Sequence, residues 1–96
     1  MSPLKRKKLG KIRSELDKLD NSLIKLIKKR TNLVNQVLKL KDKKKEIIDN
    51  KRIKNILTNI RKKSIANKID PKITNRIWKN MIWSYIDYEK RNFKKK

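Results

Sequence analysis

Ile12, Leu16, Leu19, Leu23, Ile27, Val34 and Val37 recur at alternating three- and four-residue steps, the spacing of one face of an α-helix. No glycine or proline interrupts residues 11 to 41, so the pattern predicts one helix there, about 45 Å long at 1.5 Å per residue. The stretch from Lys41 to Asp49 breaks the pattern with a block of lysines that repel one another at helical spacing, and predicts a loop. Asp49 or Asn50 then caps a second helix, with Ile53, Ile56, Leu57, Ile60 and Ser64 on its inner face, running to about Asn67. Asp70 followed by Pro71 starts a third helix, which runs to about Phe93 with its band centred on Trp78, Ile82, Tyr85 and Glu89. There is no internal repeat and no strand-like alternation. The expected fold class is therefore all-α, with one long, one short and one medium helix. Residues 1 to 10, basic and containing Pro3 and Gly10, read as a loose arm, residues 11 to 93 as the helical domain, and residues 94 to 96 as a basic tail.

A chain of 96 residues makes one domain, and a domain this small hides only about two thirds of its unfolded surface. The first helix is too long to be covered by its own chain, so its apolar face is expected to meet a second copy in an intertwined homodimer.

Composition removes several function classes. There is no cysteine or histidine and a single glycine, which argues against disulfide frameworks, zinc sites, glycine-rich phosphate loops and histidine-based catalysis. No cofactor or metal is expected. No apolar run approaches the roughly 20 residues that span a bilayer, and the N-terminus lacks the apolar core of a signal peptide, so a cytoplasmic protein without a membrane partner is expected. The net charge of +22 raises the alternative of a nucleic-acid binder. Lysine, isoleucine and asparagine are abundant together along the whole chain, as an AT-rich genome produces without selection for polyanion binding. The aromatic residues Trp78, Trp83, Tyr85, Tyr88 and Phe93 lie in one helical segment, not spread as a base-stacking platform. The bulk of the charge is read as solvated surface.

Two cations do not fit that reading. At about 100° per residue, Arg30 and Lys41 project within roughly 20° of Ile12, in the middle of the face expected to be buried. A guanidinium or ammonium there costs several kcal/mol unless something negative meets it. Acids are few, 9 against 31 Lys and Arg, so a bound anion is a candidate partner. Glu89, on the apolar band of the third helix, is the acidic counterpart, and a buried ion pair with Lys41 is the structural alternative. Arg13, Arg30, Lys41, Arg52 and Glu89 form the candidate constellation.

At these residues the chain resembles a known family. Arg13, the Leu16-Asp17 and Leu19-Asp20 pairs, Leu23-Ile24, Arg30 and Lys41 eleven residues later resemble the opening of the all-helical chorismate mutases. The segment from Asp70-Pro71 through Ile77-Trp78 to Glu89 resembles their last helix. The resemblance covers about residues 11 to 93 and implies a domain-swapped helical dimer that binds the dianion chorismate and rearranges it to prephenate in the synthesis of phenylalanine and tyrosine. It implies that Arg30 holds one carboxylate and that Arg13 reaches into the other subunit's site to hold the second. Lys41 and Glu89 would address the ether oxygen, Asp49 and Arg52 would lie near the ring carboxylate and hydroxyl, and Tyr85 would line the pocket.

Two positions depart from the family pattern. The mutases usually follow the arginine at the start of the second helix with a glutamate, and here Ile53 follows Arg52. The related isochorismate-pyruvate lyases carry an aliphatic residue at that place, which keeps salicylate formation as an alternative function. Glu89 stands where many members have glutamine. Both reactions are pericyclic and need no nucleophile, in keeping with a site of cations without histidine, cysteine or metal. The requirement is to hold a folded conformer and stabilise the negative charge that develops on the ether oxygen.

Overall fold

The computed structural model describes residues 1–94. It contains three α-helices, α1 (Pro3–Leu40), α2 (Asn50–Ala66) and α3 (Pro71–Asn92), with a short 3₁₀ helix, Lys44–Ile47, between α1 and α2. Among the described residues there is no strand, and no helix is long and apolar enough to cross a membrane. The chain divides into two compact units, Met1–Leu33 and Val34–Lys96. The first holds only the N-terminal part of α1; the second holds the end of α1, the 3₁₀ helix, α2 and α3.

The expected loose arm is instead helical from Pro3, which makes α1 38 residues long, about 57 Å at 1.5 Å per residue. The cause is local. Ser2 caps the helix, its Oγ accepting from the Lys5 N–H at 3.2 Å and its carbonyl from the Arg6 N–H at 2.9 Å, and Pro3 supplies a fixed φ at the first helical position. The lysine-rich start, with no acid in the first turn, opposes the helix dipole but does not prevent the helix. The basic tail expected at residues 94–96 lies, apart from Lys94, outside the described residues.

Gly10 now sits inside a helix, at a position where an added Cβ meets nothing within 4 Å. Gly10→Ala is therefore expected to stabilise the protein by about 0.5–1 kcal/mol, by removing backbone freedom from the unfolded chain. Chemical unfolding at fixed protein concentration measures this, and a destabilised variant would mean that the first turns are not helical in solution.

None of the residues of α1 is buried. Ile12, Leu16, Leu19, Leu23 and Ile27 all remain about half exposed. Leu26, Leu33 and Leu40, outside the stripe read from the sequence, are exposed as well. They continue from Leu19 at seven-residue intervals, the repeat of a helix-pairing seam.

The second unit has its core at Ile47, Ile82 and Ile86, with Leu38, Ile48, Ile53, Ile56, Leu57 and Phe93 packed against it. Ile47 lies in the stretch expected to be a loop. Glu46 organises that stretch: its Oε1 accepts from the backbone N–H of Lys43 at 2.7 Å and of Asp42 at 3.1 Å. The lysines point outward, and Ile47, 3 % exposed, turns into the core. The two remaining helix starts follow local chemistry as expected, with Asp49 accepting from the Arg52 N–H at 3.0 Å and Asp70 from the Lys72 N–H at 2.9 Å.

Where α2 meets α3, the buried Ser64 donates from Oγ to the Ile60 carbonyl at 2.6 Å. It pairs with Thr74 Oγ1, also at 2.6 Å. A hydroxyl on the inner face of α2 is satisfied twice and so carries little burial penalty. The turn between the helices passes through Lys68 at φ 57, a left-handed conformation more often taken by glycine.

Candidate active site

Glu89 is carried on the core-facing side of α3, three residues after Ile86 and seven after Ile82. The packing that buries those isoleucines therefore buries the carboxyl too, to 6 % exposure. Lys41 is the first residue after α1 and reaches the same place from the other side of the unit: its Nζ donates to Glu89 Oε1 at 3.1 Å. Removing either partner would strand a charge in a poorly solvated position, so the pair is held by mutual need. The structural alternative considered for these residues is thus present as a contact, and it leaves the ammonium with further donors to offer a ligand.

Tyr88 of α3 ties this place to the end of α1. Tyr88 donates its hydroxyl to Asn35 Oδ1 at 2.8 Å, and Asn92 Nδ2 donates to the Tyr88 carbonyl at 2.8 Å. The Tyr85 and Tyr88 rings meet edge to face, with centroids 6.3 Å apart and planes at 88°, a favourable aromatic geometry. Tyr85 is half-buried one turn before Glu89. Asn35 and Tyr88 join Tyr85 at this place without a mark in the sequence beyond a second tyrosine three residues after the first on the same helix.

Asp49 and Arg52 belong to the same unit as Lys41 and Glu89. Asp49 Oδ1 is occupied as the cap of α2, and the Arg52 side chain is exposed, while Ile53 is partly buried against the core. Arg13 and Arg30 lie in the other unit. Arg13 is exposed. Arg30 is partly buried, and its Nε is fully buried with no hydrogen-bond partner. A buried guanidinium donor left unmatched is costly, and its geometry suits a carboxylate acceptor.

The residues present therefore offer anion-binding chemistry: an ammonium held by a buried carboxyl in one unit, and an arginine with an unmatched donor in the other. No curated protein and no solved structure matches the chain. The chorismate mutase type II family does, over residues 12–90, and that match spans all three helices and includes Arg13, Arg30, Lys41, Asp49, Arg52, Ile53, Tyr85 and Glu89. With a match over most of its length, the chain belongs to the chorismate mutase type II family.

Proposed function

We propose that the protein is a chorismate mutase, acting as an intertwined, domain-swapped homodimer that converts chorismate to prephenate. The observation that carries the reading is the Lys41–Glu89 pair on the buried face of α3. The breaking C–O bond builds negative charge on the ether oxygen, and an ammonium fixed beside it stabilises that charge in the transition state more than in the bound substrate. Arg30 holds one carboxylate of the dianion and Arg13 of the partner subunit the other. Together they select the folded conformer in which the new C–C bond forms. Arg52 and Asp49 address the ring carboxylate and hydroxyl, and Ile53 and Tyr85 line the pocket. The exposed apolar seam of α1 supports the dimer, because a second copy would cover it.

Arg52-Ile53 favours a second reading, an isochorismate-pyruvate lyase, since an aliphatic side chain cannot accept a hydrogen bond from the hydroxyl of chorismate. Incubation with each substrate separates the two: prephenate from chorismate supports the mutase, and salicylate with pyruvate from isochorismate supports the lyase. No turnover of either, together with DNA binding that weakens steeply with salt, would favour the basic nucleic-acid binder instead.

Glu89 supplies a sharper test. Glu89 Oε1 accepts from Lys41, and a carboxylate offers the ether oxygen no donor. Glu89→Gln keeps the shape and an acceptor for Lys41 and adds an amide donor, so its turnover is expected to equal or exceed that of the wild type, as steady-state kinetics measures. A loss of turnover in Glu89→Gln would leave Glu89 as the structural partner that holds Lys41.

A further inference from the structure

A cavity of about 420 Å³ lies between α2 and the start of α3, within the size range of small-molecule sites. Its apolar lining is Ile53, Leu57 and Pro71, and its polar lining is Asn50, Lys54, Thr58 and Arg61 of α2 with Asn75 of α3. Lys54 and Arg61 stand two turns apart on one side of α2, about 10.5 Å along the axis. The lining carries no carboxylate. The acids nearest in sequence, Asp49 and Asp70, are turned to the backbone of their own helices as caps. The cavity opens beside the positive end of α3, which adds to the same sign of field.

Donor groups beside apolar side chains, with no acid in the lining, define a ligand class. We propose that this groove is a second binding site, distinct from the Lys41–Glu89 place, for a small organic anion with a flat apolar body. Arg61 and Lys54 hold the anionic head, the Asn75 amide orients it, and Leu57 and Pro71 cover the body. Carboxylates and phosphate esters share this chemistry. Ile53 is the lining residue that the mutase reading also uses, and the inference is separated from that reading because none of Lys54, Arg61 and Asn75 has a part in that reaction.

The test uses the full-length protein with nitrogen-15 labelling and three probes: 3-phenylpropionate, phenyl phosphate and 2-phenylethylammonium. Saturable shifts of the Leu57, Thr58, Arg61 and Asn75 signals with at least one of the two anions, and none with the ammonium, are expected. The tighter anion identifies the head group. Shifts at Tyr85 and Glu89 report the other site separately. Arg61→Gln removes a charge and Asn75→Asp adds a repelling one at nearly constant shape. Both side chains are exposed, so the fold should persist, as circular dichroism checks. Each change should weaken binding in the groove at least about tenfold, the loss of one charge-assisted hydrogen bond, with any turnover unchanged. Groove signals that ignore both anions, that respond equally to the ammonium, or that keep wild-type affinity in both variants would overturn the proposal, whatever the result with chorismate.

Discussion

Lys41→Ala is expected to lower kcat for the proposed rearrangement by about 10²–10³-fold and to change KM far less, the loss that follows when a charge aimed at a developing oxyanion is removed. The expectation rests on the ammonium being held in place before substrate arrives, 3.1 Å from Glu89 Oε1. A preorganised cation does not have to reorient as the C–O bond breaks, so its effect concentrates in the transition state. Arg30→Ala has the opposite signature. In the proposed site its guanidinium would meet a carboxylate whose charge hardly changes during the reaction, so KM should rise strongly and kcat fall less. Steady-state kinetics on both variants measures the split. Lys41→Ala also leaves the Glu89 carboxyl buried without its partner, which destabilises the fold by about 3–5 kcal/mol. The double variant Lys41→Met, Glu89→Gln removes both charges and should recover most of that stability while staying inactive. Near-normal turnover in Lys41→Ala would make the pair structural.

The second large effect concerns assembly. Leu16 and Leu23 lie one above the other on the exposed seam of α1, and covering a half-exposed leucine is worth on the order of 1 kcal/mol. Repeated along the helix in two copies, such terms sustain a tight dimer. The wild type should therefore sediment as a dimer at micromolar concentration and unfold with a midpoint that rises with concentration. Leu16→Glu with Leu23→Glu should give a monomer with turnover reduced by at least about 10²-fold, because each site would lose the partner's arginine. Subunit mixing isolates that contribution. Arg13→Ala and Lys41→Ala homodimers should both be inactive. After exchange at equal amounts about half of the dimers are mixed, and each mixed dimer has one intact site of its two, so about a quarter of wild-type activity should return. No recovery after complete exchange would confine the site to one chain, and an active monomer would remove the dimer from the mechanism.

What the sequence determined by itself was decided over short distances. The starts of α2 and α3 were legible because Asp49 and Asp70 bond to backbone N–H groups two or three residues away, and such bonds form whatever the rest of the chain does. Ser2-Pro3 carries the same signal, although the basic run behind it has the composition of a loose arm. Helical spacing also placed Arg30, Lys41 and Glu89 on apolar faces before any packing was known, because angular position on a helix depends only on residue number. Tertiary structure decided which groups on those faces meet. Lys41 and Glu89 are 48 positions apart, and their contact depends on α3 returning alongside the end of α1. The Tyr88–Asn35 bond, 53 positions apart, depends on the same return. Ile47 shows the limit most plainly: beside it stand lysines, acids and a second isoleucine, Ile48, nothing in local periodicity says which of the two is buried, and only the surface offered by Ile82 and Ile86 makes Ile47 the core residue. Burial is a property of where distant surfaces come together, and the local pattern constrains which side chains are available to fill them.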